Sequence, residues 1–226
     1  MQTKLTQALA AEFLGTTALV LFCTGAVVVN EQTQALGHGG LSATCGLVVL
    51  VLIQAFGPTS GAHFNPAVTV GFWAAGRFAG RQVGPYVLAQ LLGALAGSAL
   101  VQQLCAGPSA LGATLPAHSA GQALAVETGL TFWLMLVILR VAHGSKEQGL
   151  LAGLTIGALV GLAVLVGGPL SGASMNPARS LAPALVGGHL AAAWVYVAGP
   201  LAGALLAVLA DKLLNVNQLP ENQQTN

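Results

Sequence analysis

Two short stretches of the chain combine residue types and spacing suited to holding a polar ligand. Residues 57–69 read GPTSGAHFNPAVT and residues 168–180 read GPLSGASMNPARS, with 8 identities in 13 positions at a constant offset of 111. Each contains an Asn-Pro-Ala triplet, Asn65, Pro66 and Ala67 in the first and Asn176, Pro177 and Ala178 in the second. Asparagine is a favoured helix N-cap, and proline at the first helical position gives up an N–H that has no partner there anyway. A helix start also presents the positive end of the peptide dipoles. Asn-Pro opens ordinary turns as well, but two copies inside a longer matched motif favour a pair of helix starts. Arg179, three residues after Asn176, falls on nearly the same helix face as that asparagine.

Other titratable residues are few. Glu12 and Glu127 sit inside apolar stretches, one early in each half of the chain. A carboxyl in such a setting is costly and is either a functional group such as a proton relay or a satisfied structural acceptor. His63, two residues before Asn65, is read as a hydrogen-bonded loop histidine in preference to a pH-sensitive gate. His38, His118, His143 and His189 fall in or near loops. Cys23, Cys45 and Cys105 show no CxxC spacing, which suggests neither a disulfide framework nor a zinc site. They read as small buried or pore-side residues. No metal cluster, GxSxG elbow or nucleotide-binding loop is present, so neither an enzyme nor a cofactor is expected.

The elements that must position these residues are membrane spans. Of 226 residues, 55% are hydrophobic and 6% charged, far below the quarter charged residues, roughly, of a soluble domain. A formal net charge of +1 with no basic cluster argues against a nucleic-acid partner. A span needs about 20 mostly apolar residues. Six such runs extend approximately from Leu9 to Val29, Leu41 to Phe56, Val83 to Leu104, Leu124 to Val141, Leu150 to Val166 and Leu190 to Leu209. The pieces starting at Asn65 and Asn176 cover about 10 residues each, or about 15 Å of helix, half of a hydrocarbon core. The first run contains Glu12 and lacks an A-x-A exit, so it is expected to stay in the mature protein. Lys4, Arg77, Arg81, Arg140, Lys146 and Lys212 mark the N-terminus, alternate loops and the C-terminus as cytoplasmic. The opposite loops, Asn30 to Gly40 and Ala106 to Gly121, carry no Lys or Arg, and the third carries only Arg179. A topology signal would put that arginine on the wrong side, so a pore-lining role is expected for it.

A second match reinforces the repeat: Tyr86, Val87, Gly93, Ala94 and Leu95 correspond to Tyr196, Val197, Gly203, Ala204 and Leu205 at an offset of 110. Each half therefore holds three spans and one short segment, with halves at about 1–110 and 118–214 and a polar tail at 215–226. An odd number of spans per half inverts the second copy. The expected fold is all-α: six transmembrane helices plus two half-helices, an inverted repeat in one channel domain around a central pore. The half-helices enter from opposite faces and converge their positive ends near the bilayer centre. A cation or proton is repelled there, while a neutral hydroxyl compound accepts hydrogen bonds from the asparagine amides. Helix packing should be close at Gly93, Gly97, Gly157 and Gly161.

The motifs SGAHFNPAVT and SGASMNPARS, preceded by Ala11-Glu12-Phe13-Leu14-Gly15-Thr16, resemble the aquaporin, or major intrinsic protein, family over about Leu9 to Leu213. The resemblance implies one pore per subunit, a homotetramer in the lipid bilayer, and water and small neutral solutes as cargo. It implies that Glu12 and Glu127 accept backbone hydrogen bonds from the loops before the half-helices, as structural buried acids. Arg179 resembles the arginine of the family's selectivity filter.

Counting from the motifs carries over the other three filter places: Cys45, twenty residues before Asn65; Val164, twelve before Asn176; and Ala173, three before Asn176. Strict water channels of the family have a bulky aromatic, usually Phe, at the first place and His at the second. Glycerol channels carry Trp and a further aromatic, with Asp after the arginine; here Ser180 follows Arg179. Cys45, Val164, Ala173 and Arg179 imply a wider, more apolar opening with one strong donor. This is similar to the metalloid-permeable branch, which takes boric, arsenous or silicic acid besides glycerol and urea. A strict water channel is the alternative. An ion-coupled secondary transporter is the remote one, since it needs an ion site and the spans offer two carboxyls only. A thiol at Cys45 is open to mercurial block. The protein is read as bacterial in type, in a bacterial inner membrane.

Overall fold

The structure is a computed structural model, and it describes residues 2–105, 109–141 and 151–215. Lys146, His143 and the polar tail beyond Asn215 lie outside the described residues. Among those described there are eight helices and no strand. In chain order they are α1 (Gln2–Thr33), α2 (Gly37–Ser60), α3 (Pro66–Ala74), α4 (Gly80–Leu104), α5 (Ala120–Val141), α6 (Ala152–Ser171), α7 (Pro177–Gly187) and α8 (Val195–Asn215). Six of them are long and apolar enough to cross a membrane. The other two, α3 with 9 residues and α7 with 11, are the half-length pieces.

Several boundaries differ from the sequence reading. Helix α1 runs on to Thr33, past the loop expected from Asn30, and the Asn30 side chain then accepts from the N–H groups of Leu36 and Gly37 to close a short turn. The last span begins at Val195, because residues 191–194 form turns. It also continues beyond Leu209 and so includes Asp211. Glu12 and Glu127 are therefore not the only acids in the long helices: α1 contains Glu31, and α8 contains the buried Asp211, whose Oδ2 lies 2.8 Å from Arg77 Nη2 and whose Oδ1 lies 3.6 Å from Arg140 Nη1. An extended polar helix end carries no apolar signal, so hydropathy stops short of it.

The helices pair as α1 with α4, α5 with α8, and α2 with α6. Lipid tails are as apolar as leucine, so these pairs are held by close van der Waals contact between small residues. A Cβ added at Gly93 of α4 would overlap the Phe13 carbonyl oxygen of α1, and one added at Gly203 of α8 would overlap the Thr128 carbonyl oxygen of α5. These equivalent glycines put the same contact into both halves. Gly97 and Gly157 are also tight, 2.7 Å from Thr17 O and 2.6 Å from Gly46 O once a Cβ is built. Leu47, Val51, Trp133, Leu154, Leu162 and Leu209 stay exposed on the outer faces, as lipid-facing residues do.

Substituting Gly93 by Ala forces α1 and α4 apart against backbone that cannot yield, an overpacking cost of about 1–3 kcal/mol. Thermal unfolding of the detergent-solubilised protein is expected at a clearly lower temperature for Gly93→Ala. An unchanged transition would contradict this packing.

Candidate functional site

Each half-helix is approached through a loop that reverses direction at a glycine. Gly61 and Gly172 cap α2 and α6 with φ of 85° and 84°, and their N–H groups bond the carbonyls of Gly57 and Gly168. This left-handed conformation is open to glycine at little cost. Beyond it, Ala62 and Phe64 in one loop and Ala173 and Met175 in the other also take positive φ, between 43° and 53°. Side chains disfavour that region, and residues held there mark places the surroundings over-determine.

What holds them is a buried carboxylate in each half. Glu12 Oε1 accepts from Ser60 Oγ at 2.7 Å and His63 N at 2.9 Å, and its Oε2 accepts from Phe64 N at 2.7 Å and Gln90 Nε2 at 2.8 Å. Glu127 Oε1 accepts from Ser171 Oγ at 2.7 Å and Ser174 N at 2.9 Å, and its Oε2 from Met175 N at 2.7 Å. Tyr86 and Tyr196 fix the same corners by donating to the carbonyls of Ser60 and Ser171 at 3.0 and 2.7 Å. Both acids are fully buried and neither lines the cavity described below. They are acceptors for loop backbone and for the serine hydroxyls beside it.

The asparagines cap as the sequence predicts. Asn65 Oδ1 accepts from Ala67 N at 2.9 Å, and Asn176 Oδ1 accepts from Ala178 N at 3.0 Å and Arg179 N at 3.3 Å. Pro66 and Pro177 open the helices. Each amide nitrogen then crosses to the other half: Asn65 Nδ2 donates to Met175 O at 2.7 Å and Asn176 Nδ2 to Phe64 O at 2.8 Å. The cross-links account for one N–H of each amide, and each NH2 group has two. The second has no protein acceptor among the described residues and can turn to a ligand.

Both motifs open on one cavity of about 440 Å³ whose wall includes Asn65, Asn176, Cys45, Val164, Ala173 and Arg179. All four candidate filter residues are thus brought together with both asparagines. Arg179 is only 8% exposed. Its Nη1 donates to the Gly112 carbonyl at 2.8 Å, and it makes no ion pair among the described residues. Ser180 bonds Thr114 at 2.6 Å and Ser174 on its other side, and Ser174 Oγ donates to Asn176 O. Gly112 and Thr114 escaped the sequence reading, since the loop after α4 has neither charge nor periodicity. Cys23 also lines the cavity; its spacing from Cys45 follows no recognised motif.

His63 lies in the loop between α2 and α3, outside the six spans. Its Nδ1 is 3.1 Å from Thr69 Oγ1, and its ring stacks on Phe72 with centroids 4.7 Å apart. Burial pushes its pKa down to about 4, so the ring is uncharged near neutral pH.

The family description "Major intrinsic protein" matches residues 1–210. The chain belongs to the major intrinsic protein, or aquaporin, family. It is 43% identical over 211 residues to Aquaporin NIP1-4 of Oryza sativa subsp. japonica, covering 93% of this chain and 77% of that one. To Aquaporin NIP1-1 of Zea mays it is 44% identical over 221 residues, covering 97% and 78%. Among solved structures, the aquaglyceroporin from Plasmodium falciparum superposes with a TM-score of 0.82 at 28% identity, covering 93% of this chain and 97% of that one. An aquaporin is an integral membrane channel for water and small solutes, and its family is one of channels and not of enzymes. These plant relatives do not support the expectation of a bacterial-type protein in a bacterial inner membrane.

Two outcomes follow for this aquaporin. Glu127→Ala leaves the N–H groups of Ser174 and Met175 buried without an acceptor, at about 1–3 kcal/mol each; yield of folded protein in detergent is expected to collapse, whereas a relay carboxylate would lose function with the fold intact. Because burial pushes the pKa of His63 down to about 4, the ring stays neutral and water flux into proteoliposomes is expected to stay flat from about pH 5.5 to about pH 8, where an unshifted imidazole titrates.

Proposed function

We propose that this channel passes compact uncharged solutes along with water, namely glycerol, urea and the hydroxides boric, arsenous and silicic acid, and excludes ions and protons. The observation that carries the reading is the shared cavity wall of Cys45, Val164, Ala173 and Arg179. None of these four is aromatic, and only Arg179 offers strong N–H donors. A hydroxylated solute can accept hydrogen bonds from the guanidinium and from the free amide N–H of Asn65 and Asn176 while its body slides along Val164 and Ala173. A cation meets the guanidinium and the positive ends of α3 and α7 in turn, with no carboxylate among the described residues of the wall to offset them. The names of the relatives agree in kind: plant NIP aquaporins by sequence and an aquaglyceroporin by fold.

The reading extends to a homotetramer in the bilayer, by family likeness. It extends also to cytoplasmic termini, since Arg77 and Arg140 gather on Asp211 beside Lys212, at the end that the positive-inside bias assigns to the cytoplasm.

Stopped-flow light scattering on proteoliposomes tests this. Wild-type vesicles are expected to shrink fast in an impermeant osmolyte and to re-swell fast in glycerol, urea and boric acid. Val164→His and Cys45→Phe narrow and polarise the opening, and are expected to slow solute entry by about tenfold or more, equivalent to ~1.4 kcal/mol on the barrier, with water flux retained. Fast water flux without solute entry in the wild type would overturn the reading in favour of a strict water channel.

A further inference from the structure

Helices α2 and α6 meet in a register that repeats every four residues. His38, Ser42, Gly46 and Leu50 of α2 face Leu165, Gly161, Gly157 and Gly153 of α6 in antiparallel order. The contact at Gly46 is backbone on backbone, since a Cβ built there would lie 2.7 Å from Gly157 O. Towards Val164 the gap is bridged by side chains of growing length. Ser42 Oγ donates to Gly161 O at 2.5 Å, and the His38 ring reaches Leu165 O with its Nε2 at 2.7 Å. A carbonyl only accepts, so that nitrogen carries the hydrogen. Leu165 O needs an outside donor: the residue four places on, whose N–H would bond it within the helix, is Pro169. Gly168 leaves room for the ring, because a Cβ there would come within 2.9 Å of His38 Cε1.

The internal repeat does not duplicate the Ser42 bridge. The offset of 111 maps Gly46 on Gly157 and Ser42 on Gly153. Gly153 has no side chain to donate, and its built Cβ already lies 3.0 Å from Leu50 O. A lock needed only to hold the fold would serve both halves equally. The bridge is instead present at the end where Cys45 and Val164 face the cavity. Cys45 directly precedes Gly46 at the crossing, and Val164 directly precedes Leu165 at the outer bridge.

We propose that His38 and Ser42 are positioning residues for solute selection: their two hydrogen bonds hold the stretch of α6 that carries Val164 against α2, and so set the largest solute the opening admits. Both lie outside the cavity wall, so they act through Val164 and do not touch the solute. The glycine contact fixes the nearest approach of the helices, and the bridges limit how far they part beyond it. Loss of either bond shifts the balance between a narrow and a wider spacing about fivefold, the equivalent of one net hydrogen bond. Water fits the narrow spacing and is insensitive to that balance. A solute that only the wider spacing admits follows it in proportion. The inference rests on the solute reading above for an opening bounded by Val164.

The experiment uses the full chain in proteoliposomes, with stopped-flow light scattering of water, glycerol, erythritol and xylitol permeation. Each polyol rate is divided by the water rate of the same variant. His38 is exposed, so its replacement leaves the fold in place: His38→Phe keeps a ring without the donor, and His38→Gln keeps an N–H donor. Ser42→Ala removes the inner bridge without touching His38. His38→Phe and Ser42→Ala are each expected to raise the erythritol and xylitol ratios about fivefold with water flux unchanged, again the equivalent of one net hydrogen bond. His38→Gln is expected to return the ratios to those of the wild type. A merely stabilising residue would lower yield and all fluxes together and leave the ratios where they were. Unmoved ratios in both His38→Phe and Ser42→Ala, or His38→Gln matching His38→Phe, would overturn the assignment. If the wild type excludes glycerol while His38→Phe and Ser42→Ala admit it, the bridges stand and the solute reading falls. If the wild type admits glycerol and both variants keep its ratios, the solute reading stands and the bridges fall.

Discussion

Irregular backbone at the depth of a bilayer has no water to bond, and each bare N–H there costs several kcal/mol. The loops before α3 and α7 are irregular backbone of this kind, and the rest of the site depends on how their N–H groups are satisfied. A carboxylate offers two oxygens and about four acceptor positions on one side chain. Glu12 and Glu127 each use both oxygens, gathering a serine hydroxyl and two consecutive backbone N–H groups. With those groups held on one side, the loops can tolerate left-handed Ala62, Phe64, Ala173 and Met175. The carbonyls of Phe64 and Met175 are then free to receive the opposing asparagines. The carboxylates thus fix the loops, the loops fix the asparagines, and the asparagines lock the two half-helices end to end.

The two halves share this scaffold and differ in what they hang on it. Gln90 completes the first clamp by donating to both Glu12 and Thr69, whereas its counterpart by the offset of 110 is Pro200, which has no such donor. The second half instead ties its loop outward through Ser174, Ser180 and Thr114. At the position of Arg179 the first half has Val68, by the offset of 111, and both residues line the cavity. A symmetric frame therefore carries a cation on one side of the asparagines and an aliphatic side chain on the other. On the reading proposed above, this asymmetric placement concentrates charge selection at one level of the path and leaves the other level apolar.

Much of this was legible in the sequence because it is local or repeated. The capping chemistry of Asn65-Pro66 and Asn176-Pro177 depends on neighbours within three residues, and it appears as expected. Glu12 and Glu127 could be paired with their loops only through the family resemblance, since 48 residues separate Glu12 from Ser60 and 44 separate Glu127 from Ser171. Gly112 and Thr114 were invisible: one offers only its backbone carbonyl to Arg179, and a carbonyl has no sequence signature. Asp211 was missed because it lies past the apolar window, where a helix continues on the strength of an ion pair that hydropathy does not register.

Pore width is a property of helix packing as much as of the side chains at the opening. Gly46 follows Cys45 directly, and a Cβ there would lie 2.7 Å from Gly157 O; Gly157 meets Gly46 O at 2.6 Å in return. These backbones touch where α2 crosses α6, and Val164 sits seven residues, two turns, beyond Gly157 on the same helix. The separation of Cys45 from Val164 is therefore set by a contact that has no side chain left to trim. Evolution of such an opening can narrow it by enlarging Cys45 or Val164, but can bring the two helices no closer. Small side chains at both places then mean that the width of the path is the full width the glycine contact allows. On the reading proposed above, selection in this chain then falls to the one long donor in the cavity wall, Arg179.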